Sequence, residues 1–255
     1  MRVVLLRTVV VALLAALAWT ARPAMPGGGS VRASSAAPQR GEASGTVSAF
    51  PPPLPYVQGG SRWLYRSNFG EVRVRLEGGD VQAGRRCYRW EIRLLGVGMR
   101  EELGLTAAGL FTASREFLLP LGAVSTMVFT PPELTIPLPL EVGRHWESTT
   151  SASSGPHAGP AQVAGTVEAY ASVAVAAGRF EAYRIRLERR DAWGGSMDAT
   201  IWLDPEAGVV KAVGQLRWPG LVGSVQRALG LHRLELELVR AEVRGPVNAR
   251  PGELP

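Results

Sequence analysis

The chain has 255 residues and a formal net charge of +6, and its basic residues are almost all arginine, with Lys211 as the only lysine. The arginines alternate with glutamates along predicted strands instead of forming one basic segment. This pattern is typical of a solvated sheet surface and argues against a nucleic-acid-binding protein, which requires a one-sided basic patch. The single cysteine, Cys87, excludes an internal disulfide.

The N-terminus has the layout of a secretory signal. Arg2 and Arg7 precede a short apolar run, Thr8–Leu17, and the small residues of Ala16-Leu17-Ala18 occupy the cleavage positions. Residues 1–21 are therefore predicted to be a signal peptide, and the protein is predicted to be secreted, periplasmic or at the cell surface. The alternative is an uncleaved N-terminal anchor, which would be the protein's only membrane contact.

The remainder divides by composition. Residues 22–53 are rich in Pro, Gly, Ser and Ala, and cannot bury enough apolar surface to offset their ordering entropy, which predicts a flexible tether. Residues 54–245 are predicted to form a single β domain, and residues 246–255 a disordered tail.

Strand periodicity runs through this domain and is clearest between Val173 and Val213. Tyr183, Ile185 and Leu187 alternate with charged residues, and turn sequences separate this run from two further strands. Only Leu221–Leu229 resembles a helix. One-faced strands without covering helices must bury their apolar faces against each other. The sequence therefore predicts an all-β fold with a curled antiparallel sheet, either a half-barrel or an open barrel, and at most one or two short helices.

One local sequence occurs twice. Leu-Pro followed by Gly-x-x-Trp is present at Leu54–Trp63 and again at Leu138–Trp146. A glycine turn and an anchoring tryptophan would begin a strand in each half of the sheet.

No catalytic, metal-binding or cofactor-binding constellation is evident. His145, His157 and His232 are isolated from one another and lack metal-ligand spacing. Glu101 and Glu102 are adjacent and would point to opposite faces of a strand, so they cannot share one site. Neither a nucleophile elbow nor a phosphate-binding loop is present. The sequence predicts a protein that is not an enzyme, with no catalytic residue, no metal and no cofactor.

Aromatic residues are the best candidates for a binding site. They are numerous, and Trp90 shares its strand face with Tyr88 and Ile92. One interpretation is ordinary core packing; the other is an aromatic groove for an acyl chain or another apolar ligand. The groove candidates are Trp63, Tyr88, Trp90, Trp146, Tyr183 and Trp202. The proline-broken apolar stretch from Phe117 to Pro137 would be a flap over such a groove or a packed crossover.

Three landmarks resemble a group of uncharacterised secreted bacterial β-rich proteins. The first is the opening around Leu54–Tyr65, with Gly60, Trp63 and Tyr65 in a Y-F-P-L-x-x-G-x-x-W-x-Y pattern. The second is the Ala177–Phe180 hairpin, and the third is the Trp202–Lys211 strand pair. Such proteins are similar in architecture to the lipoprotein-carrier (lipoprotein localisation factor-like) group, whose curled sheet holds acyl chains. The resemblance implies an extracytoplasmic half-barrel and transfers no catalytic residue.

The function predicted from these observations is a non-enzymatic extracytoplasmic binding module for a hydrophobic or lipid-like ligand. The alternative is an envelope structural or sensory protein, whose core is solid and whose Arg/Glu face contacts a protein partner. A continuous apolar pocket would favour the first, and dense packing would favour the second.

Overall fold

A computed structural model describes residues 59–82, 85–94, 97–118, 122–191, 193–228, 230 and 232–243. The secondary structure in these ranges is almost entirely strand, with one short helix, α1, at Gly220–Ala228. The strands, in chain order, are β1 Arg62–Ser67, β2 Gly70–Gln82, β3 Arg85–Leu94, β4 Val97–Thr106, β5 Gly109–Leu118, β6 Val124–Pro137, β7 His145–Ser154, β8 His157–Val175, β9 Gly178–Arg190, β10 Ser196–Asp204, β11 Gly208–Arg217 and β12 Arg233–Glu242.

The twelve strands form one closed antiparallel barrel. Each strand pairs with its neighbours in the chain, and the barrel closes where β1 pairs with β12, from Arg62 opposite Glu242 to Ser67 opposite Leu236. The prediction of an all-β curled sheet with few helices is confirmed, and this last pairing joins its two edges. Closure removes the unpaired edge strands that an open sheet would expose.

The predicted signal peptide (1–21), tether (22–53) and C-terminal tail (246–255) lie outside the described residues, so these assignments stay predictions. No helix in the described ranges is both long enough and apolar enough to cross a membrane.

The two ends of the barrel differ. At one end, the turn end, β10 and β11 are joined by a tight turn in which the Asp204 carboxylate accepts hydrogen bonds from the Glu206 and Ala207 amides at 2.8 and 2.7 Å. At the other end, the helix end, α1 connects β11 to β12.

Side chains from both halves of the barrel fill its interior at the turn end. Ile185, Leu203, Val210 and Leu238 are essentially fully buried there in one large cluster. The Trp63 indole nitrogen donates a 2.6 Å hydrogen bond to the Ala207 carbonyl, which ties β1 to the β10–β11 turn. This half of the interior is a solid core.

The duplicated Gly-x-x-Trp sequence begins β1 and β7, the first and seventh of the twelve strands. Gly60 and Gly143 have φ angles of 90° and 89°, a region that disfavours residues with a Cβ. Their amides donate to the carbonyl oxygens of Leu76 and Val167, on the following strand, at 2.6 and 2.8 Å. Each tryptophan, Trp63 and Trp146, is then buried. The repeated Gly-x-x-Trp sequence therefore has the same backbone geometry at the start of β1 and at the start of β7.

The proline-rich stretch is a strand, contrary to the expected flap or crossover. In the pairing of β6 with β5, Val128 lies opposite Ser114, and the next paired residue of β6 is Glu133, opposite Thr112. The intervening residues of β6, including Pro131 and Pro132, have no partner on β5. Because proline lacks an amide donor, this irregularity is where the strand tolerates two prolines.

Gly165 leaves the space that the Trp146 ring occupies. A Cβ at Gly165 would lie 2.2 Å from Cζ2 of Trp146. We expect Gly165→Ala to lower the free energy of unfolding by about 1–3 kcal/mol or more, because a rigid indole in a packed core cannot move aside. Urea denaturation monitored by tryptophan fluorescence would measure this loss.

Gly214→Ala is the matched control. Gly214 lies on the same inner face, and its Cβ would meet Ala199 Cβ at an ordinary 3.4 Å. We expect this variant to be as stable as the wild type or slightly more stable, because alanine is less flexible than glycine in the unfolded chain. Equal losses in the two variants would contradict this description of the inner wall.

Candidate functional site

The six predicted groove residues have three different environments. Trp63, Tyr88 and Trp146 are buried in the turn-end core. Trp90 is half-buried, and its ring stacks on Trp63 with a centroid distance of 6.0 Å. These four residues pack against other side chains of the core and do not form a separate groove.

The other two candidates are half-buried and also pack against the turn-end core. Tyr183 is half-buried beside the exposed Tyr170, with ring centroids 4.6 Å apart. Trp202 is half-buried, but its strand partners are Arg184 and Lys211, and the Lys211 ammonium lies 5.3 Å from its ring centroid. Trp202 was a groove candidate, and its register places it beside charged groups of the outer face.

Four charged residues face the barrel interior towards the helix end. Glu101 on β4 lies directly opposite Arg115 on β5, and the Arg115 Nε donates a 2.6 Å hydrogen bond to a Glu101 carboxylate oxygen. Glu133 on β6 is paired with Arg189 on β9, with 3.2 Å between the guanidinium nitrogen and the Glu133 Oε2 atom. We call Glu101, Arg115, Glu133 and Arg189 the charge quartet.

Phe129 lies between the two arginines of the quartet. The Cζ atoms of Arg115 and Arg189 are 5.7 and 5.1 Å from its ring centroid, within cation–π range. Phe129 is buried together with Ala152 and Ala161 in a second, smaller apolar cluster. The Phe129 ring therefore lies close to both guanidinium groups and joins the charge quartet to this smaller apolar cluster.

Burial perturbs both members of the Glu133–Arg189 pair. Desolvation raises the pKa of Glu133 above its ordinary value, although Arg189 and Arg115 act in the opposite direction. Desolvation, together with repulsion from Arg115, lowers the pKa of Arg189 to about 10. The Glu133 Oε2 atom is buried without a hydrogen bond, so its contact with Arg189 has the distance of an ion pair but not the alignment of a hydrogen bond. The two residues carry opposite charges, but the Glu133 Oε2 atom accepts no hydrogen bond.

Apolar side chains around the quartet face inward and yet remain half-buried. Residues directly opposite each other across a ladder point to the same face of a sheet. Ile201 lies opposite the fully buried Ile185, and Ala199 opposite the buried Leu187. The half-buried, inward-facing apolar residues are Ile92, Met99, Phe117, Met127, Met197, Ala199, Ile201, Ala212, Leu216, Leu234 and Leu236.

These residues and the charge quartet define the helix-end interior of the barrel. A filled core covers its central side chains completely, as it does at the turn end, although Ile92, Ile201 and Leu236 also pack against that core. The helix-end interior instead presents apolar surface to an accessible space, beside two carboxylates and two guanidiniums. This combination suits an amphiphilic molecule, with apolar wall for a chain and charged groups for a polar head.

The alternation of residues along the strands indicated part of the charge quartet. The alternation of Tyr183, Ile185 and Leu187 continues to Arg189, which places an arginine on the buried face. Glu101 shares its strand face with the buried Leu103 and Leu105. Arg115 was harder to find, because the register shift between Thr112 and Ser114 changes which residues of β5 face inward. Glu133 follows the two prolines of β6, where no periodicity survives.

The other polar residues considered from sequence are placed apart from the quartet. Glu102 is exposed and contacts Arg89, whereas its neighbour Glu101 faces inward, as predicted. His145 is exposed beside Thr166 and Glu147. In the described part of the chain, no cluster of three or more His, Cys, Asp or Glu side chains could hold a metal ion.

Comparison with known proteins gives no family. No protein-family model matches the chain, and no curated protein matches it. Two solved structures resemble the fold. One is an exported protein of Bacteroides fragilis described as having a YmcC-like fold, with 11% identity and a TM-score of 0.35, covering 72% of this chain and 96% of that one. The other is the hypothetical lipoprotein YmcC from Escherichia coli, with 12% identity and a TM-score of 0.32, covering 73% and 87%. A likeness of this size carries no conclusion about ligand, partner or compartment.

The quartet can be tested through stability. Arg189→Met would leave the fully buried Glu133 without its ion-pair partner, and we expect the free energy of unfolding at pH 7 to fall by about 3–5 kcal/mol. The deficit should shrink as the pH falls from 7 towards 4.5, because the pKa of Glu133 is raised in the folded protein and its neutral form is the better tolerated one. Denaturation curves across this pH range would measure both effects.

The double variant Arg189→Met with Glu133→Gln provides the control. It removes both charges of the pair, so we expect it to recover a large part of the stability lost in Arg189→Met. A double variant no more stable than the single one would show that the two side chains are not coupled.

Proposed function

We propose that this protein is an exported, non-enzymatic binding module that holds a hydrophobic or lipid-like ligand in the helix-end interior of its barrel. The observation that carries the proposal is the set of inward-facing apolar side chains that stay half-buried around the charge quartet. The secretory layout of residues 1–21 supports an extracytoplasmic location.

The ligand best suited to this interior has an apolar chain and a polar head. Met99, Met127 and Met197 contribute flexible, polarizable side chains to the wall, and methionine adapts readily to ligands of different shape. The quartet offers both hydrogen-bond donors and acceptors, and the Glu133 Oε2 atom lacks a hydrogen-bonding partner. A polar head group would be accommodated beside these charges at lower cost than in an apolar core.

The alternative is an envelope protein that acts through protein–protein contacts. The densely packed turn-end core and the Arg/Glu outer face favour it, because neither is needed to hold a small ligand. The two proposals differ in what fills the helix-end interior, which is the quantity to measure.

Filling this interior with protein should abolish ligand binding. Ala199 faces inward, opposite Leu187 and Gly214, and Ala199→Trp would occupy the space with an indole. We expect this variant to lose at least tenfold in affinity for a fluorescent fatty-acid analogue, a loss of at least about 1.4 kcal/mol in binding free energy. Fluorescence titration would measure it, with circular dichroism to verify the fold.

Thr200→Trp is the matched control, because Thr200 is the next residue of β10 and points to the opposite face, beside Arg186. It should bind the probe as the wild type does. Failure of the correctly folded wild type to bind the probe, or equal binding by all three proteins, would overturn the proposal in favour of the partner-binding alternative.

A further inference from the structure

The outer face of the barrel carries an arginine-lined cleft at the seam where β12, β1, β2 and β3 meet. Its volume is about 430 Å³, and Leu64 lies at its centre. The charged residues that line it are Arg62, Arg73, Arg75, Arg93, Arg240, Glu91 and Glu242. Alternation of Arg with Glu along each strand conceals this cluster in the sequence, and the strand register assembles it.

The register sets like charges directly opposite each other. Arg62 lies opposite Arg75, and Arg73 lies opposite Arg93. Glu242 and Glu91 lie on the other sides of the Arg62–Arg75 pair. Neither arginine of the Arg73–Arg93 pair has a glutamate directly opposite, and directly opposed like charges destabilise a sheet. The adjoining ladder on the same face shows the ordinary arrangement, in which Arg100 is flanked by Glu91 and Glu116.

The ion pairs of the cleft run along the strands and leave the guanidiniums accessible. Arg73 pairs with Glu71 and Arg75 with Glu77, each two residues away on β2, and these arginine side chains are 78% and 55% exposed. Exposed pairs of this kind contribute little free energy, so another anion can replace the glutamates. Arg62 forms no ion pair with any described residue.

Arginine in this arrangement selects phosphate. Its planar fork binds phosphate oxygens in a bidentate manner, and five such groups around an apolar centre match a surface of phosphate head groups with acyl chains beneath. Arg62 and Leu64 belong to β1, the first strand of the described barrel.

We propose that this cleft docks the barrel on an anionic membrane surface by binding phospholipid head groups. The docking is independent of any ligand inside the barrel. Because the cleft lies beside the β1–β12 pairing, docking fixes the orientation of the barrel axis, which runs from the helix end to the turn end, relative to the membrane.

Vesicle flotation with the full chain tests the proposal. Arg73→Gln with Arg93→Gln removes one pair of opposed arginines, and circular dichroism verifies that the variant is folded. We expect this variant to bind phosphatidylcholine vesicles containing phosphatidylglycerol about tenfold more weakly than the wild type at low salt, since each arginine near an anionic surface strengthens attachment severalfold. Binding to vesicles of phosphatidylcholine alone should be the same for both proteins.

Arg184→Gln with Arg186→Gln is the control of equal net charge. These arginines are also exposed, on β9 outside the cleft. We expect it to retain wild-type binding to the anionic vesicles. Equal loss in both double variants, or no loss in either, would overturn the proposal. Loss by the cleft variant of binding to a soluble acidic polysaccharide, with vesicle binding unchanged, would overturn it in favour of a carbohydrate partner.

Discussion

The pairing of β1 with β12 is the constraint on which the rest of this structure depends. Once the first and last of twelve strands are joined, every strand has two neighbours and one face that points into an enclosed interior. A barrel of twelve strands encloses more space than one layer of medium-sized side chains fills. Side chains occupy this space differently at the two ends of the barrel.

At the turn end, large side chains reach across the interior. Trp63 extends from β1 to the β10–β11 turn, and the hydroxyl of Tyr65 donates a 2.8 Å hydrogen bond to the Val209 carbonyl. At the helix end, small residues such as Ala199, Ala212 and Gly214 occupy the inner face, and the charge quartet takes the place of an apolar core. The inward-facing apolar side chains at the helix end therefore keep accessible surface.

The fold class could be predicted from the sequence because each strand carries its own pattern. The alternation at Tyr183–Leu187 indicates which face of that strand is buried. The two Gly-x-x-Trp sequences indicate where a strand begins. The site could not be predicted in the same way, because it depends on pairing between distant strands. A register shift between Thr112 and Ser114 of β5 turns Arg115 inward, and the arginine cleft requires Arg73 to meet Arg93 across the β2–β3 ladder. The aromatic residues were the site candidates chosen from the sequence, but most of them pack in the turn-end core.

The central claim is that the helix-end interior holds a ligand, and native mass spectrometry of the protein purified without detergent tests it most directly. Gentle ionisation keeps a buried amphiphile bound, and extraction of the same sample with organic solvent identifies it. We expect a mass above that of the polypeptide, lost on extraction, with a lipid-like molecule in the organic phase. A mass equal to that of the polypeptide, with no extractable lipid, would contradict it.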